Sequence, residues 1–365
     1  LYAHYDVQPP LDDASWRTPP FELTPVNDRW YGRGTADCKG NIMMHLTALR
    51  ALDAIGAPPP VNLKLVVEGS EEQGTGGLED FVPRNAELLR ADTILVCDTG
   101  NAALGVPTAT TSLRGLANVV VTVKALTSEM HSGMFGGAAP DALAALVHML
   151  ATLRDVHGNT TIGGLDNTQS WSGVDYPAAQ FRTDANVIDG VDLLGDGTVA
   201  DMLWARPAVT ILGINAPPVV GSAAAIQPTA RARLNLRVPP GMDAAAAQEA
   251  LSAHLQSVAP WHVQVTVTPE SSGSPFQAVT SGPAYKALDA AMQAAYGKAL
   301  TTSGQGGSIP LCNVFHDVYP QAEIILMGVE EPLTLMHAPN ESVAPSEIAS
   351  MALAEALFFH EYAAG

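Results

Sequence analysis

Two adjacent carboxylates, Glu71 and Glu72, follow a mostly apolar run that begins at Leu63. The run predicts a buried strand of an α/β sheet, and ligands of open α/β sheets bind at the carboxyl ends of such strands. Two like charges fixed side by side at a buried strand end repel each other. They therefore require a positive partner, and a metal ion is the simplest candidate. The alternative is a solvated turn, because charged residues are mostly found on protein surfaces.

Further imidazole and carboxylate groups stand where strands or loops are predicted to end. His4 and Asp98 each close a short apolar run, and Asp37 lies in the glycine-rich loop of residues 31–40. A fifth group, His337, lies in a loop marked by proline. Imidazole and carboxylate ligands suit zinc, and also manganese or cobalt. Five ligands are too many for one tetrahedral ion with an open position, and they suit two ions bridged by one carboxylate.

A supporting role is predicted for Asp6, which lies two residues after His4. Both side chains point to the same side of an extended chain, so Asp6 is placed to orient the imidazole. Taken singly, each residue of the site has an ordinary explanation as a core histidine, a capping aspartate or a strand-end carboxylate. Their joint occurrence favours the metal site. The candidate ligands are His4, Asp37, Glu72, Asp98 and His337.

The elements that must position these residues follow two patterns along the chain. In the first part, and again after Pro275, apolar strands alternate with amphipathic helices, which is typical of a doubly wound sheet. The middle part has strands and helices of a smaller α+β layer, in which Asp243 is placed to cap a helix. We therefore predict an α/β fold with a mixed sheet flanked by helices. Residues 1–110 and 275–365 would form a discontinuous metal-binding domain, and residues 111–274 an inserted α+β domain.

Length and charge limit the class of protein. At 365 residues the chain exceeds one usual hydrophobic core, which agrees with two domains. Its net charge of −19 argues against nucleic acid and anionic membrane partners, because phosphate binding needs a basic surface.

The cellular location is judged from the cysteines and from the start of the chain. Three separated cysteines form neither a disulfide framework nor a CxxC metal motif, so we expect a reducing compartment and a cytoplasmic protein. No apolar run is long enough to predict a spanning helix. The chain begins at Leu1 within an apparent strand, so we expect a natural N-terminal segment to precede it, and a signal peptide cannot be assessed.

Three motifs, in order along the chain, resemble those of the M20 family of metallopeptidases. They are AHYDVQP at residues 3–9, YGRGTADCKG at residues 31–40 and EGSEEQG at residues 68–74. The resemblance runs in register from residue 1 to about residue 345, and the combined motifs are specific. It implies two divalent metal ions, with zinc as the first expectation and manganese or cobalt as alternatives.

The resemblance also implies a role for each residue of the site. Asp37 would bridge the two ions, and Asp98 and His337 would be among the remaining ligands. Glu71 would be the general base and Glu72 a ligand. A glutamate that neighbours a ligand without being one can take a proton from the attacking water and return it to the leaving amine.

Other motifs are similar to the carnosinase-like dipeptidase branch of the family. They are GGSIP at residues 306–310, MHSG at residues 130–133 and the segment around Arg237. The resemblance implies that the inserted domain is a lid and a dimerisation domain of a homodimer. It further implies that His131 reaches the active site of the partner subunit. From the residues alone, this histidine is a surface or capping residue.

The segment around Arg237 bears on the substrate. The planar fork of this arginine suits a free carboxylate, and the alternative is a salt bridge on the polar face of its strand. Gly306, Gly307 and Ser308 would offer backbone amides to the same carboxylate, or the glycines would form a tight turn with positive φ. Ala224 stands where the branch carries a polar side chain, so the substrate preference need not follow that of carnosinase.

The predicted reaction is hydrolysis of a peptide bond in dipeptides or short peptides that carry a free C-terminal carboxylate. An alternative within the family is an N-acyl amino acid deacylase or desuccinylase, with the same chemistry and a different pocket. An alternative from another class is a metal-binding protein with decayed catalytic machinery, against which the intact Glu71 speaks. A serine hydrolase and a dinucleotide enzyme are disfavoured, because the chain lacks GxSxG and its glycine pairs lack the third glycine.

Overall fold

A computed structural model describes residues 1–74 and 77–365, so Thr75 and Gly76 of the acidic-pair stretch lie outside the described residues. The chain divides into two units. The first comprises Leu1–Thr111, Gln277–Ser303 and Ile309–Gly365, and the second comprises Ser112–Phe276 and Gly304–Ser308. The sequence-based boundaries placed residues 304–308 with the first unit. They belong with the second because a Cβ at Gly304 would lie 2.6 Å from the Trp204 ring.

Both units contain strands and helices. In chain order the strands are β1 (Tyr2–His4), β2 (Thr24–Val26), β3 (Arg29–Tyr31), β4 (Val66–Glu68), β5 (Thr93–Cys97), β6 (Thr108–Leu113), β7 (Gly115–Lys124), β8 (Met130–His131), β9 (Ala208–Asn215), β10 (Ala225–Ile226), β11 (Thr229–Val238), β12 (Gln264–Gly273), β13 (Phe276–Gln277), β14 (Thr301–Gln305), β15 (Glu323–Met327) and β16 (Ser342–Val343). The helices are α1 (Lys39–Ala54), α2 (Gly77–Arg84), α3 (Ala86–Leu89), α4 (Ser132–Phe135), α5 (Ala142–Ala151), α6 (Ala178–Asp184), α7 (Ala244–Ser257), α8 (Pro283–Tyr296), α9 (Pro310–Val318) and α10 (Pro345–Ala364).

The large sheet is mixed, as predicted. Its strand order is β13-β6-β15-β5-β1-β4, and β14 pairs with β6. The strands β15, β5, β1 and β4 run parallel, whereas β6 runs antiparallel to β15. The carboxyl ends of four parallel strands therefore meet at one edge, which is where an open α/β sheet binds its ligands.

One strand of this sheet differs from the prediction. The strand β4 covers only three residues of the apolar run that begins at Leu63, and it lies at the edge of the sheet. Leu65 and Val67 are 45% and 37% exposed, because no described strand pairs with the outer side of β4. The prediction of a buried strand before Glu71 is therefore wrong. The acidic pair still follows the strand, in a turn.

Helices flank this sheet. α1 and α8 both pack against α10, α1 contacts β1, and α8 and α9 contact β15. Three of these helices begin with proline, whose missing N–H costs nothing in a first helical turn. Among the described residues, no helix combines the length and the apolarity that crossing a membrane requires.

The second unit holds a four-stranded antiparallel sheet of order β12-β7-β11-β9. Alternate residues of β7 and β11 point to one face of this sheet, and α5 and α7 pack there. Val121, Leu236 and Leu251 are fully buried in this core, and burial of such a side chain contributes roughly 1.5–3 kcal/mol. Asp243 caps α7, as predicted, by accepting a hydrogen bond from the N–H of Ala246.

Local contacts set the bounds of other elements in the second unit. The helix α5 begins at Ala142, because Asp141 caps its first turn. Residues 158–206 contain α6 and a π-helical turn at Asp201–Ala205. The strand β12 extends to Gly273, where it still pairs with β7.

Candidate metal centre

The predicted ligands converge at the carboxyl edge of the large sheet. His4 is the last residue of β1, Asp98 follows β5, and Glu72 lies in the turn after β4. Asp37 comes from the turn that precedes α1, and His337 from the loop between β15 and β16. Elements far apart in the sequence thus place five ligand side chains in one site.

Asp37 lies between the two histidines. Its Oδ1 is 3.0 Å from Nε2 of His4, and its Oδ2 is 2.9 Å from Nε2 of His337. Nε2 of His4 is also 3.1 Å from Oδ1 of Asp98, and Nε2 of His337 is 3.2 Å from Oε2 of Glu72. The donors therefore form two groups that share one carboxylate. This donor set fits two divalent ions with a bridging aspartate.

Cys38 lies in the group of His4 and Asp98, which sequence reasoning did not anticipate. Its thiol donates to the backbone carbonyl of Cys97 at 3.0 Å and accepts from Nδ2 of Asn41 at 3.4 Å. Burial raises the pKa of this thiol well above its usual value. Without a metal ion the thiol is therefore neutral, and its sulfur already contacts the carbonyl of Cys97 and the amide of Asn41.

Asp6 contacts residues of both donor groups. Its backbone carbonyl is 3.1 Å from Nδ1 of His4, and its carboxylate accepts from the backbone N–H of Glu71 at 3.3 Å and of Glu72 at 3.0 Å. Gln8, which sequence reasoning missed although it lies in the first motif, donates from Nε2 to Oε2 of Glu72 at 2.7 Å. These contacts are those expected of residues that orient ligands.

The ligands shift one another's pKa values. Burial favours a higher pKa for Asp37, but its hydrogen bonds with His337 and His4 outweigh burial and lower it. Burial favours a lower pKa for His4, but hydrogen bonds to Asp37 and Asp98 raise it to about 11. Hydrogen bonds to Asp37 and Glu72 raise the pKa of His337 to about 10. The carboxylates therefore favour positive partners strongly, and metal binding releases the histidine protons.

Glu71 stands apart from the ligand groups. Asp6 fixes its backbone N–H, but its side chain belongs to neither of the two donor groups. Burial raises the pKa of Glu71 to about 8, the Asp98 carboxylate adds to this rise, and His4 opposes it. A carboxyl group that titrates near neutral pH can both accept and donate a proton.

His131 lies in the second unit, at the end of β8, and it is exposed. Its Nδ1 accepts a hydrogen bond from the N–H of Gly133 at 3.0 Å. That bond places the proton of a neutral imidazole on Nε2. The capping interpretation is therefore confirmed, and Nε2–H remains a donor for another partner.

Arg237 lies on β11 of the second unit. Among the described residues it forms no ion pair, and burial lowers its pKa. Arg233 on the same strand does form one, with Nε 2.6 Å from Oε2 of Glu270. The salt-bridge interpretation is therefore wrong for Arg237 within the described chain.

The glycine turn after β14 also lies in the second unit. Neither Gly306 nor Gly307 has a positive φ, so the interpretation as a turn that requires positive φ is wrong. A Cβ at Gly306 would lie 2.8 Å from Nη2 of Arg114. Glycine therefore provides space at this position, and Ser308 follows the turn in a half-buried position.

Comparison with known families identifies the family of this chain. The model of peptidase family M20/M25/M40 matches residues 1–360. The chain belongs to this peptidase family. The family identification made from the motifs is thereby confirmed, and the ligands described above lie within the matched residues.

Relatives of this M20 peptidase include dipeptidases. A cysteinylglycine-S-conjugate dipeptidase of Corynebacterium striatum is 45% identical over 366 residues, which cover 99% of this chain and 80% of the relative. The crystal structure of human carnosine dipeptidase 1 is 26% identical with a TM-score of 0.81, covering 100% of this chain and 79% of that one. The same fold occurs in a metallo-carboxypeptidase from Sulfolobus solfataricus, which is 24% identical with a TM-score of 0.83. That match covers 100% of this chain and 84% of the carboxypeptidase chain. The predicted placement among peptidases of this branch is confirmed.

Glu341 joins the loops of Asp37 and His337 in this M20 peptidase, and sequence reasoning missed it although it lies close to His337. It is 1% exposed and lies four residues after His337. Its carboxylate binds Nη1 of Arg33 at 2.7 Å. It also accepts hydrogen bonds from the backbone N–H groups of Gly34, Ala36 and Asp37 at 3.0, 3.1 and 3.2 Å. One buried carboxylate thus fixes the loop of Asp37 to the loop of His337.

We expect Glu341→Gln to weaken metal binding and to destabilise the first unit by about 3–5 kcal/mol, because it leaves the buried charge of Arg33 uncompensated. Metal titration and chemical unfolding measure the two effects. The matched control is Glu347→Gln, since Glu347 is equally buried and binds Asn101 and Tyr296 rather than a ligand loop. The control should lose stability but keep its metal affinity. Equal metal affinities in the two variants would contradict the assignment.

Proposed function

We propose that this M20 peptidase hydrolyses dipeptides that carry a free C-terminal carboxylate, using two divalent ions. The proposal rests on two donor groups that both contact Asp37. Glu71 lies next to Glu72 in the chain, and its carboxyl group belongs to neither donor group. A relative with 45% identity is named for cysteinylglycine S-conjugates, so S-substituted Cys-Gly dipeptides are the first substrates to test. Zinc is the first metal to test, with manganese and cobalt as alternatives.

Each ion would have its own histidine. His4 and Asp98 would hold one ion, His337 and Glu72 would hold the other, and Asp37 would give one oxygen to each. When bound, the ions lower the pKa of a shared water and polarise the scissile carbonyl.

The protein's own groups then move the proton. Glu71 takes it from the attacking water and delivers it to the leaving amine, because its carboxyl group belongs to neither donor group. Asp6 supports this step, because it holds the backbone N–H of Glu71 and faces the imidazole of His4. A small shift of Glu71 would misplace the proton acceptor, so its anchored backbone is part of the proposal.

Arg237 would hold the carboxylate of the substrate. Support comes from its lack of a counter-ion among the described residues, which is unusual in a chain with 37 acidic and 18 basic residues. The half-buried position strengthens a charge-assisted hydrogen bond to a carboxylate. Gly306, Gly307 and Ser308 would contribute backbone amides to the same carboxylate.

We expect free dipeptides to be cleaved far better than their C-terminal amides, because an amide cannot accept the paired hydrogen bonds of a guanidinium. The loss in kcat/KM should be on the order of 10–100-fold. The measurement is a panel of S-methyl-cysteinylglycine, β-alanyl-histidine, their C-terminal amides and N-acyl amino acids, assayed with Zn²⁺ and with Mn²⁺.

The panel also separates the alternatives. Equal cleavage of free and amidated dipeptides would remove Arg237 from the substrate site. Cleavage of acyl amino acids alone would favour the deacylase. Metal binding without any turnover would favour a protein that has lost its activity.

A homodimer formed through the second unit is part of the proposal. The strand β9 is an edge strand, and its residues Ile211, Leu212 and Ile214 are 45%, 51% and 43% exposed. An exposed apolar edge strand is a template for pairing with another chain. In a two-fold interface the same strand of both subunits can meet. The cytoplasmic location stays a prediction.

A further inference from the structure

Arg114 is a buried cation whose side chain has no ion-pair partner among the described residues. It lies in the second unit, between β6 and β7, and is 8% exposed. Its Nε and Nη1 are inaccessible to solvent and donate no hydrogen bond to any described residue. Buried polar groups are nearly always hydrogen-bonded, and an unpaired guanidinium is a costly exception. Such an exception indicates a ligand that completes the site.

A second unpaired arginine lies beside the first. Arg237 is directly opposite Leu116 in the pairing of β11 with β7, and Leu116 lies two residues after Arg114. Residues opposite each other share a face of a sheet, so Arg237 lies on the face away from Leu236 and Val238 of the core, and Arg114 directly precedes β7. The charge of Arg237 adds to burial in lowering the pKa of Arg114. The two guanidinium groups are therefore close enough to repel each other.

Nothing on the described chain compensates these two charges. Neither arginine forms an ion pair, whereas Arg233 on the same face pairs with Glu270. An anion between the two guanidinium groups would remove their repulsion and accept a hydrogen bond from Nη2, the end of Arg114 that Gly306 faces.

The surroundings leave room for such an anion. The backbone N–H of Arg114 donates to the carbonyl of Gln305 at 3.1 Å, which ties the arginine to the glycine turn. Gly306 faces Nη2 of Arg114 and has no conformational need to be glycine, so its missing side chain keeps the end of the guanidinium open. Oε1 of Gln305 is also buried and without a hydrogen bond in the described chain. Unsatisfied donors and an unsatisfied acceptor thus lie next to an open turn.

We propose that Arg114 and Arg237 together bind the C-terminal carboxylate of the substrate, with Arg114 as the buried half of a two-arginine site. This inference rests on the proposed function, since it deepens the assignment of Arg237. Two guanidinium groups would grip the two carboxylate oxygens from different directions. The site therefore selects for a full negative charge and discriminates against an amide, which has one acceptor oxygen and an NH₂ group.

The test measures binding rather than turnover. In metal-loaded Glu71→Gln protein, S-methyl-cysteinylglycine and its C-terminal amide are titrated calorimetrically, with and without Arg114→Met. We expect Arg114→Met to raise the Kd of the free dipeptide roughly 10–100-fold and to change the Kd of the amide little. Arg114→Lys should recover only part of the loss, because an ammonium lacks the planar fork.

Three further variants sharpen the result. Arg233→Met, the same substitution on the same face, should leave both dissociation constants unchanged. Gly306→Ala keeps both charges but places a methyl group against Nη2, so it should reproduce the selective loss. Arg114→Met and Arg237→Met should be strongly non-additive, because both act on one carboxylate.

The outcomes of these titrations either support or overturn the two-arginine carboxylate site. An equal loss for the dipeptide and the amide, or no loss for either, would overturn the inference. If Arg114→Met does not fold, an unchanged preference in Gly306→Ala and Arg114→Lys would overturn it instead. A wild-type enzyme that binds free dipeptides selectively through Arg114 but hydrolyses none would refute the proposed function and leave the carboxylate site standing.

Discussion

Replacing Glu71 by glutamine should abolish turnover while the protein keeps both metal ions. Glutamine has the same shape, so the backbone hydrogen bond to Asp6 can persist, but the amide cannot accept the proton of the attacking water. Loss of a general base costs roughly 10²–10⁴-fold in rate, and Glu71 would serve in two proton transfers. We therefore expect kcat to fall at least to the upper end of that range. Steady-state kinetics and metal analysis of the same preparation measure the two quantities.

Glu72→Ala is the matched control for this experiment. Glu72 lies next in the chain, and its carboxylate contacts His337 and Gln8 rather than standing free. Its loss should remove a metal ion together with the activity. Near-native activity of metal-loaded Glu71→Ala would contradict the role of Glu71 as the base.

The second large effect is expected at His131, which we propose acts in the active site of the partner subunit. An Nε2–H donor aimed at the developing oxyanion would assist the metal ions, and removal of such a donor costs about 10²–10³-fold in kcat. We therefore expect His131→Ala to be nearly inactive with its metal sites intact. Because Nδ1 is already used by Gly133, only Nε2 is free for this task.

Mixing subunits tests whether the donor crosses the interface. In a heterodimer of Glu71→Gln with His131→Ala, one of the two sites has both groups intact, so up to about half of the wild-type activity should return. The control replaces the first partner with the Glu71→Gln/His131→Ala double variant, which restores no site. Proven subunit exchange without recovery of activity would mean that His131 acts within its own subunit or only caps α4.

The convergence of the candidate ligands could be predicted from the sequence, because the ends of strands are visible in it. His4 and Asp98 follow apolar runs, and such runs locate the carboxyl edge of the sheet without knowledge of the strand order. The exposure of β4 could not be predicted, because apolar residues on an edge strand and on a central strand give the same pattern.

Residues that support the site through distant contacts were missed for a different reason. Glu341 meets Arg33 from the other end of the chain, and Arg114 likewise meets Gln305 from a distant part of the sequence. A lone glutamate or arginine has no local periodicity, so nothing in its neighbours distinguishes a buried partner from a surface charge. The same applies to residues 304–308, whose contacts rather than their sequence position place them in the second unit.

The position of β15 in the large sheet has a consequence for biosynthesis. This strand lies between β5 and β6, yet it is synthesised long after both, and after all residues of the second unit. Domains fold as units during synthesis, so the second unit can complete its core while β5 still has an unpaired edge. The nascent chain therefore carries an open, apolar strand edge for the time needed to translate more than half of its length. Such an edge is a template for pairing with other chains until β15 covers it, and the candidate ligand His337 is synthesised ten residues after that strand ends.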